Sequence, residues 1–123
     1  MVILFDQYNL PDNVYEIVFA TEQQKVVAEL LIIRMKENKY SFNKSEMSKF
    51  ATDLHEGKSE FNGQKISYNK RQFYDRILTP MKSMGIVSYD MYKRLYSISK
   101  NFASAIEQIS EMWLEEYDKK STT

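Results

Sequence analysis

The sequence has no cysteine and a single histidine, His55. Disulfides, thiolate catalysis and cysteine-based zinc sites are therefore excluded, and so is any site needing two histidines. The lack of cysteine suits a reducing cytoplasm. Three glycines and two prolines leave no room for a long flexible linker. No glycine-rich phosphate loop is present. No apolar run approaches the roughly 20 residues needed to span a bilayer. The start, Met1 to Phe5, is apolar, but it carries no basic leader and Asp6 cuts it short, so it does not read as a signal peptide.

Formal net charge is zero over 123 residues, a length that fits one domain. The apolar fraction of 43% and charged fraction of 28% are ordinary for a globular protein. The charges are not evenly spread. Residues 58–100 hold nine basic and three acidic side chains, a net +6, while the segments on either side are each −3. A basic middle between acidic ends attracts phosphates locally.

Residues 1–20 read as an N-terminal extension in which Val14 to Phe19 fits either a strand or a first helix. Thr21 with Gln24 forms a capping-box pattern, and a helix is expected to run to about Glu37. Asn43 with Glu46 is a second box. Met47, Phe50, Ala51 and Leu54 then follow at helical spacing. Residues 56–65 are polar with two glycines and read as a loop. Ser67 is a plausible cap for a third helix with Phe73, Ile77 and Met81 on its apolar face. Pro80 predicts a kink or restarted turn near Thr79, and Gly85 a left-handed end. Ile86–Tyr89 and Lys93–Ile98 read as a hairpin. Ser99 then caps a last helix over 99–118, ahead of a frayed tail. The fold class is thus α+β, mainly α with a small β-hairpin.

The stretch SYNKRQFYDRILTPMKSMGIVSYDMYKRLYSI, residues 67–98, carries a family grammar. A cap and polar first turn lead to an aromatic-x-x-x-Ile step, then Met-x-x-x-Gly-Ile-Val, then a hairpin. This resembles winged helix-turn-helix DNA-binding proteins, most closely small archaeal and archaeal-virus members. With the helices beginning near 21 and 43, the resemblance covers about three quarters of the chain. The ten-residue loop before Ser67 departs from the tight turn usual in the family. The resemblance implies a winged helix core over 21–98, a recognition helix at about 67–84, a wing at about 89–94 and an additional C-terminal helix that pairs two copies.

On that reading Tyr68, Asn69, Arg71 and Gln72 face base edges, since Arg pairs bidentately with guanine and Gln with adenine. Lys70, Arg76 and Lys82 hold phosphates, helped by Lys44 and Ser45 at the start of the preceding helix. Tyr92, Lys93 and Arg94 form the wing's contacts, in the minor groove or along a backbone. Asp75 opposes phosphate; it either holds Arg71 at i,i+4 or accepts from cytosine. Phe50, Phe73 and Phe102 read as packing, whereas Tyr68, Tyr74 and Tyr92 are the aromatics placed to touch nucleic acid. Phe102, Ile106, Ile109 and Trp113 form the stripe expected to make a homodimer. No catalytic constellation surrounds His55, and neither metal nor cofactor is expected, so the chain does not read as an enzyme. The expected partner is double-stranded DNA and the expected role transcriptional regulation, in the cytoplasm at the nucleoid and away from membranes. The competing reading is a protein–protein adaptor in a nucleoprotein assembly, favoured by zero net charge and Asp75.

Overall fold

The computed structural model describes residues 6–120. The expectations for Met1–Phe5 and for the last three residues of the tail lie outside them. The order is α1 (Val14–Val18), α2 (Glu22–Glu37), β1 (Ser41–Asn43), α3 (Lys44–His55), β2 (Ser59–Phe61), β3 (Gln64–Ile66) and α4 (Lys70–Gln72). A π-helical turn (Phe73–Leu78) and α5 (Thr79–Ser83) continue from α4, before β4 (Val87–Asp90), β5 (Leu95–Ile98) and α6 (Asn101–Asp118). The fold is α+β, with one three-stranded antiparallel sheet ordered β1–β5–β4 and a separate β2–β3 hairpin.

Local chemistry sets most helix starts. Asn13 caps α1 by accepting from Glu16 N, so the segment that fitted strand or helix is a short helix. Thr21 Oγ1 accepts from Gln24 N at 3.2 Å, without the return bond of a full box. Asn43 and Glu46 make the complete reciprocal box that starts α3. α2 buries Val27, Leu30, Leu31 and Met35, and α3 buries Met47, Phe50, Ala51 and Leu54. These residues join Phe73, Ile77, Leu78, Met81, Val87 and Tyr96 in one hydrophobic cluster.

Three expectations need correction. The polar segment 56–65 is not a loop throughout. Asn62 and Gly63 both have positive φ, 52° and 77°, which suits a tight two-residue turn, and β2 pairs with β3 across it. The third helix begins two residues later than Ser67, because Asn69 Oδ1 caps Gln72 N at 3.0 Å. Strand β1 was not expected at all, and it pairs with β5 in the register Phe42↔Tyr96.

Pro80 produces no break. The backbone stays in the right-handed helical region through Gln72, Phe73, Leu78 and Thr79. The irregularity lies upstream, where the Thr79 N–H bonds to the Tyr74 carbonyl five residues back and Thr79 Oγ1 joins it at 2.8 Å. Proline in a regular helix clashes with the carbonyl four residues back. A π turn ahead of it relieves that crowding, and α5 restarts at Thr79 as the sequence suggested. The wider turn advances each residue less around the axis than the about 100° of an α-helix. It thereby brings Leu78 into the core beside Phe73, Ile77 and Met81, all buried.

Gly85 ends α5 with φ +83° and accepts Phe102 N at 3.0 Å. α6 begins at Asn101 with Lys100, not the expected Ser99, in the cap position, although Ser99 Oγ accepts from Asn101 N at 3.1 Å. Beyond Phe102, which is half-buried against the core, every residue of α6 is exposed.

Candidate nucleic-acid interface

Four elements present their charged and aromatic side chains together. From the first turn of α3, Lys44 Nζ lies 5.7 Å from the centroid of the Tyr89 ring on β4. Tyr89 packs on Tyr96 of β5 with centroids 4.6 Å apart. Lys82 of α5 lies over the Tyr96 ring at 6.0 Å. The result is a strip running Lys44, Tyr89, Tyr96, Lys82, in which each cation faces an aromatic ring. Tyr74 adjoins this strip. Burial raises its phenol pKa, partly offset by a hydrogen bond with Ser48 of α3. Burial, with the neighbouring Tyr74 and Tyr89 phenols, raises that of Tyr96 too. Both hydroxyls therefore stay protonated, in the form that can donate to a phosphate oxygen.

Lys70 is tied down. It is partly buried, and its Nζ donates to Thr52 Oγ1 at 2.9 Å and to Ser48 Oγ at 3.2 Å. Its backbone N–H donates to His55 Nδ1 at 3.1 Å. The single histidine thus serves the start of α4 from the end of α3, a role that no spacing rule announces. Lys70 is a strut between two helices, with its charge held in place, and not the free phosphate arm expected.

The outer ridge of the same helix carries Arg71, Gln72, Asp75, Arg76 and Thr79, all exposed. Arg71 Nε lies 3.8 Å from Asp75 Oδ2, the i,i+4 pairing considered for Asp75. Tyr68 is the clear correction: it is only 6% exposed, inside the core, and its N–H bonds to the Leu54 carbonyl. It cannot face a base edge. Asn69 is exposed but spends its carbonyl oxygen on the cap. Ser45 is exposed beside Lys44. Tyr92, Lys93 and Arg94 are exposed at the β4–β5 turn. Tyr89 and Tyr96 were missed as site residues. Their strand alternation was visible, but their pairing with Lys44 and Lys82 depends on the sheet and helices meeting.

Among the described residues, most cations of this surface stand in no ion pair, Arg71 excepted, and the same holds of Lys36, Lys39, Lys65 and Lys100. Lys25, Arg34, Lys49 and Lys58 each sit within 4 Å of a carboxylate. Among the described residues, Lys44, Lys70, Arg76, Lys82, Lys93 and Arg94 are in no such pair. An open cleft of about 430 Å³ elsewhere is lined by Arg34, Lys49, Lys58, Glu46, Asp53 and Glu60 around Phe42 and Phe50, so its charges balance. Among the described residues no group of three His, Asp or Glu is placed to hold a metal, and no helix is long and apolar enough to cross a membrane. No protein-family model matches the chain, and neither does any curated protein or solved structure.

Proposed function

We propose that the protein binds double-stranded DNA as a homodimeric winged helix regulator, with the α4–α5 helix in the major groove and the β4–β5 hairpin as the wing. The observation that carries this reading is the clustering of cations on one surface, of which Lys44, Arg76 and Lys82 are in no ion pair among the described residues. Lys44 and Lys82 flank a tyrosine pair, and Arg71, Gln72 and Arg76 line the adjoining ridge. The succession of α2, α3, the α4–α5 helix, the β4–β5 hairpin and α6 supports it as well, with β1 and the β2–β3 hairpin inserted between the helices. Arg71 and Gln72 remain the side chains for base edges. Lys44, Lys82 and Arg76, with the Tyr74 hydroxyl, are those for phosphates.

The test is fluorescence anisotropy with a mixed-sequence duplex at low and at physiological salt. Affinity for the wild type is expected to fall steeply with salt. Lys82→Ala should weaken binding on every sequence and flatten the salt slope by about one. Arg71→Ala should cost roughly 1–3 kcal/mol and relax preference at one base position. Absence of duplex binding at low salt would overturn the proposal. The exposed apolar face of α6 and the Arg71–Asp75 pair favour a second reading, a protein adaptor, whose apolar interface would be nearly insensitive to salt.

A further inference from the structure

The tip of the β4–β5 hairpin places two large apolar side chains in water. Met91 is 79% exposed and Tyr92 is 100% exposed, so neither contributes to the fold. The tip is nonetheless fixed. Asp90 Oδ1 accepts from Tyr92 N at 2.9 Å and from Lys93 N at 3.0 Å, an Asx turn. Those bonds hold the Asp90 carboxyl below the usual carboxylate range. Arg94 closes the turn in the left-handed region, φ 52°, and Asp90 pairs with Leu95 behind it. Lys93 and Arg94, both exposed and in no ion pair among the described residues, stand beside the two apolar side chains.

The hairpin's base belongs to the cation–tyrosine strip, since Tyr89 and Tyr96 are register partners. Tyr92 lies three residues past Tyr89, a reach of at most about 10 Å at the strand rise. A B-DNA minor groove is about 7.5 Å deep. A hydrogen-bonded tip with two apolar side chains followed directly by two cations matches its chemistry, anionic at the walls and apolar between stacked bases. Proteins that bend DNA from this groove insert such side chains at a base step.

We infer that Met91 and Tyr92 form an apolar wedge that enters the minor groove and opens a base step, bending the duplex, while Lys93 and Arg94 hold the flanking phosphates. The inference rests on the duplex-binding reading above. Flexible pyrimidine–purine steps are the preferred sites, because they unstack at least cost.

The test measures end-to-end energy transfer in a doubly labelled duplex containing TA and CA steps, alongside affinity, for the wild type, the double variant Met91→Ala/Tyr92→Ala, and Tyr92→Phe. The tip carries no core contacts, so unchanged thermal melting verifies the fold of each variant. The wild type is expected to shorten the end-to-end distance. The double variant should leave the duplex straight and bind roughly tenfold more weakly with an unchanged salt slope. Tyr92→Phe should retain the bend. A double variant that bends DNA as the wild type does would overturn the wedge and leave duplex binding standing. A wild type that binds no duplex would overturn both.

Discussion

Lys70 and Arg71 are neighbours of like charge with opposite surroundings. Lys70 is held by two hydroxyls of α3, whereas Arg71 reaches into solvent with only Asp75 near it. Adjacent positions on a helix point about 100° apart, so one turns inward and the next outward. Asp90 is a residue whose state can be followed directly. Its carboxyl is held low, chiefly by the Lys93 N–H, with the Tyr92 N–H and the Lys93 charge also lowering it. A depressed folded-state pKa contributes order above the ordinary carboxylate pKa and loses it as pH falls through the folded value. The Tyr92 and Lys93 amide signals in NMR should therefore move together on acidification below about pH 4. In Asp90→Asn, which keeps an acceptor oxygen, that movement should vanish; its persistence would show that another group drives it. At this scale the sequence was readable where one side chain serves its own neighbourhood, as Asn43, Glu46 and Gly85 do. Tyr68 was misplaced because helical positions were counted from Ser67, and a start at Asn69 turns the tyrosine inward.

α6 depends on one close approach. A Cβ on Gly85 would sit 2.8 Å from the Phe102 nitrogen and 3.0 Å from Asn101, and the backbone there is at φ +83°. Gly85→Ala should destabilise the protein by roughly 1–3 kcal/mol, through strain and through displacement of the start of α6. Gly57→Ala is the comparison: φ is +71° there too, yet nothing lies within 4 Å. Urea unfolding of the two variants separates strain from contact. Equal losses would show that the approach to Phe102 is energetically unimportant. α2 and α3 were legible chiefly from their caps at Thr21 and Asn43, with helical spacing adding to α3, and the β4–β5 hairpin came within two residues. β1 was not, because three residues carry no period and its partner Ser97 lies far along the chain. The β2–β3 hairpin was hidden by polar strands, although Asn62-Gly63 named its turn. The π turn has no sequence signature; Pro80 signalled an irregularity and not its form.

Over the whole molecule, the acidic and basic segments serve different surfaces. Glu107, Glu111, Asp118 and Glu115 lie around the far side of α6 from Ile106, Ile109 and Trp113 at helical spacing. Ile109 is 49% exposed and Trp113 65% exposed. An 18-residue helix with one end anchored gains little stability from its own chain. On the proposed pairing, its apolar face covers the same face of a second copy, and four of its five carboxylates point away, Glu116 alone lying beside Ile109 and Trp113 at that spacing. Light scattering at micromolar concentration should give a dimer for the wild type and a monomer for Ile109→Glu/Trp113→Glu, with the core's unfolding otherwise unchanged. A monomeric wild type would refute the pairing. The charge segregation was visible in the sequence, but which cations of the basic middle are paired was not, since it depends on which carboxylates the fold brings close: Lys58 and Arg71 meet Glu56 and Asp75, whereas Arg76 and Lys82 meet none among the described residues. The π turn has a consequence for how this chain can vary. Six residues at the smaller advance of a π turn cover about the same rotation as five in an α-helix, so losing one residue from Phe73–Leu78 would let the turn close to regular α-helix with Met81 still inward and Lys82 still toward Tyr96. That loss would instead bring back the clash of the Pro80 ring with the carbonyl four residues before it, so the length of the span is tied to the proline, whereas exchanging Asp75 or Arg76 touches neither.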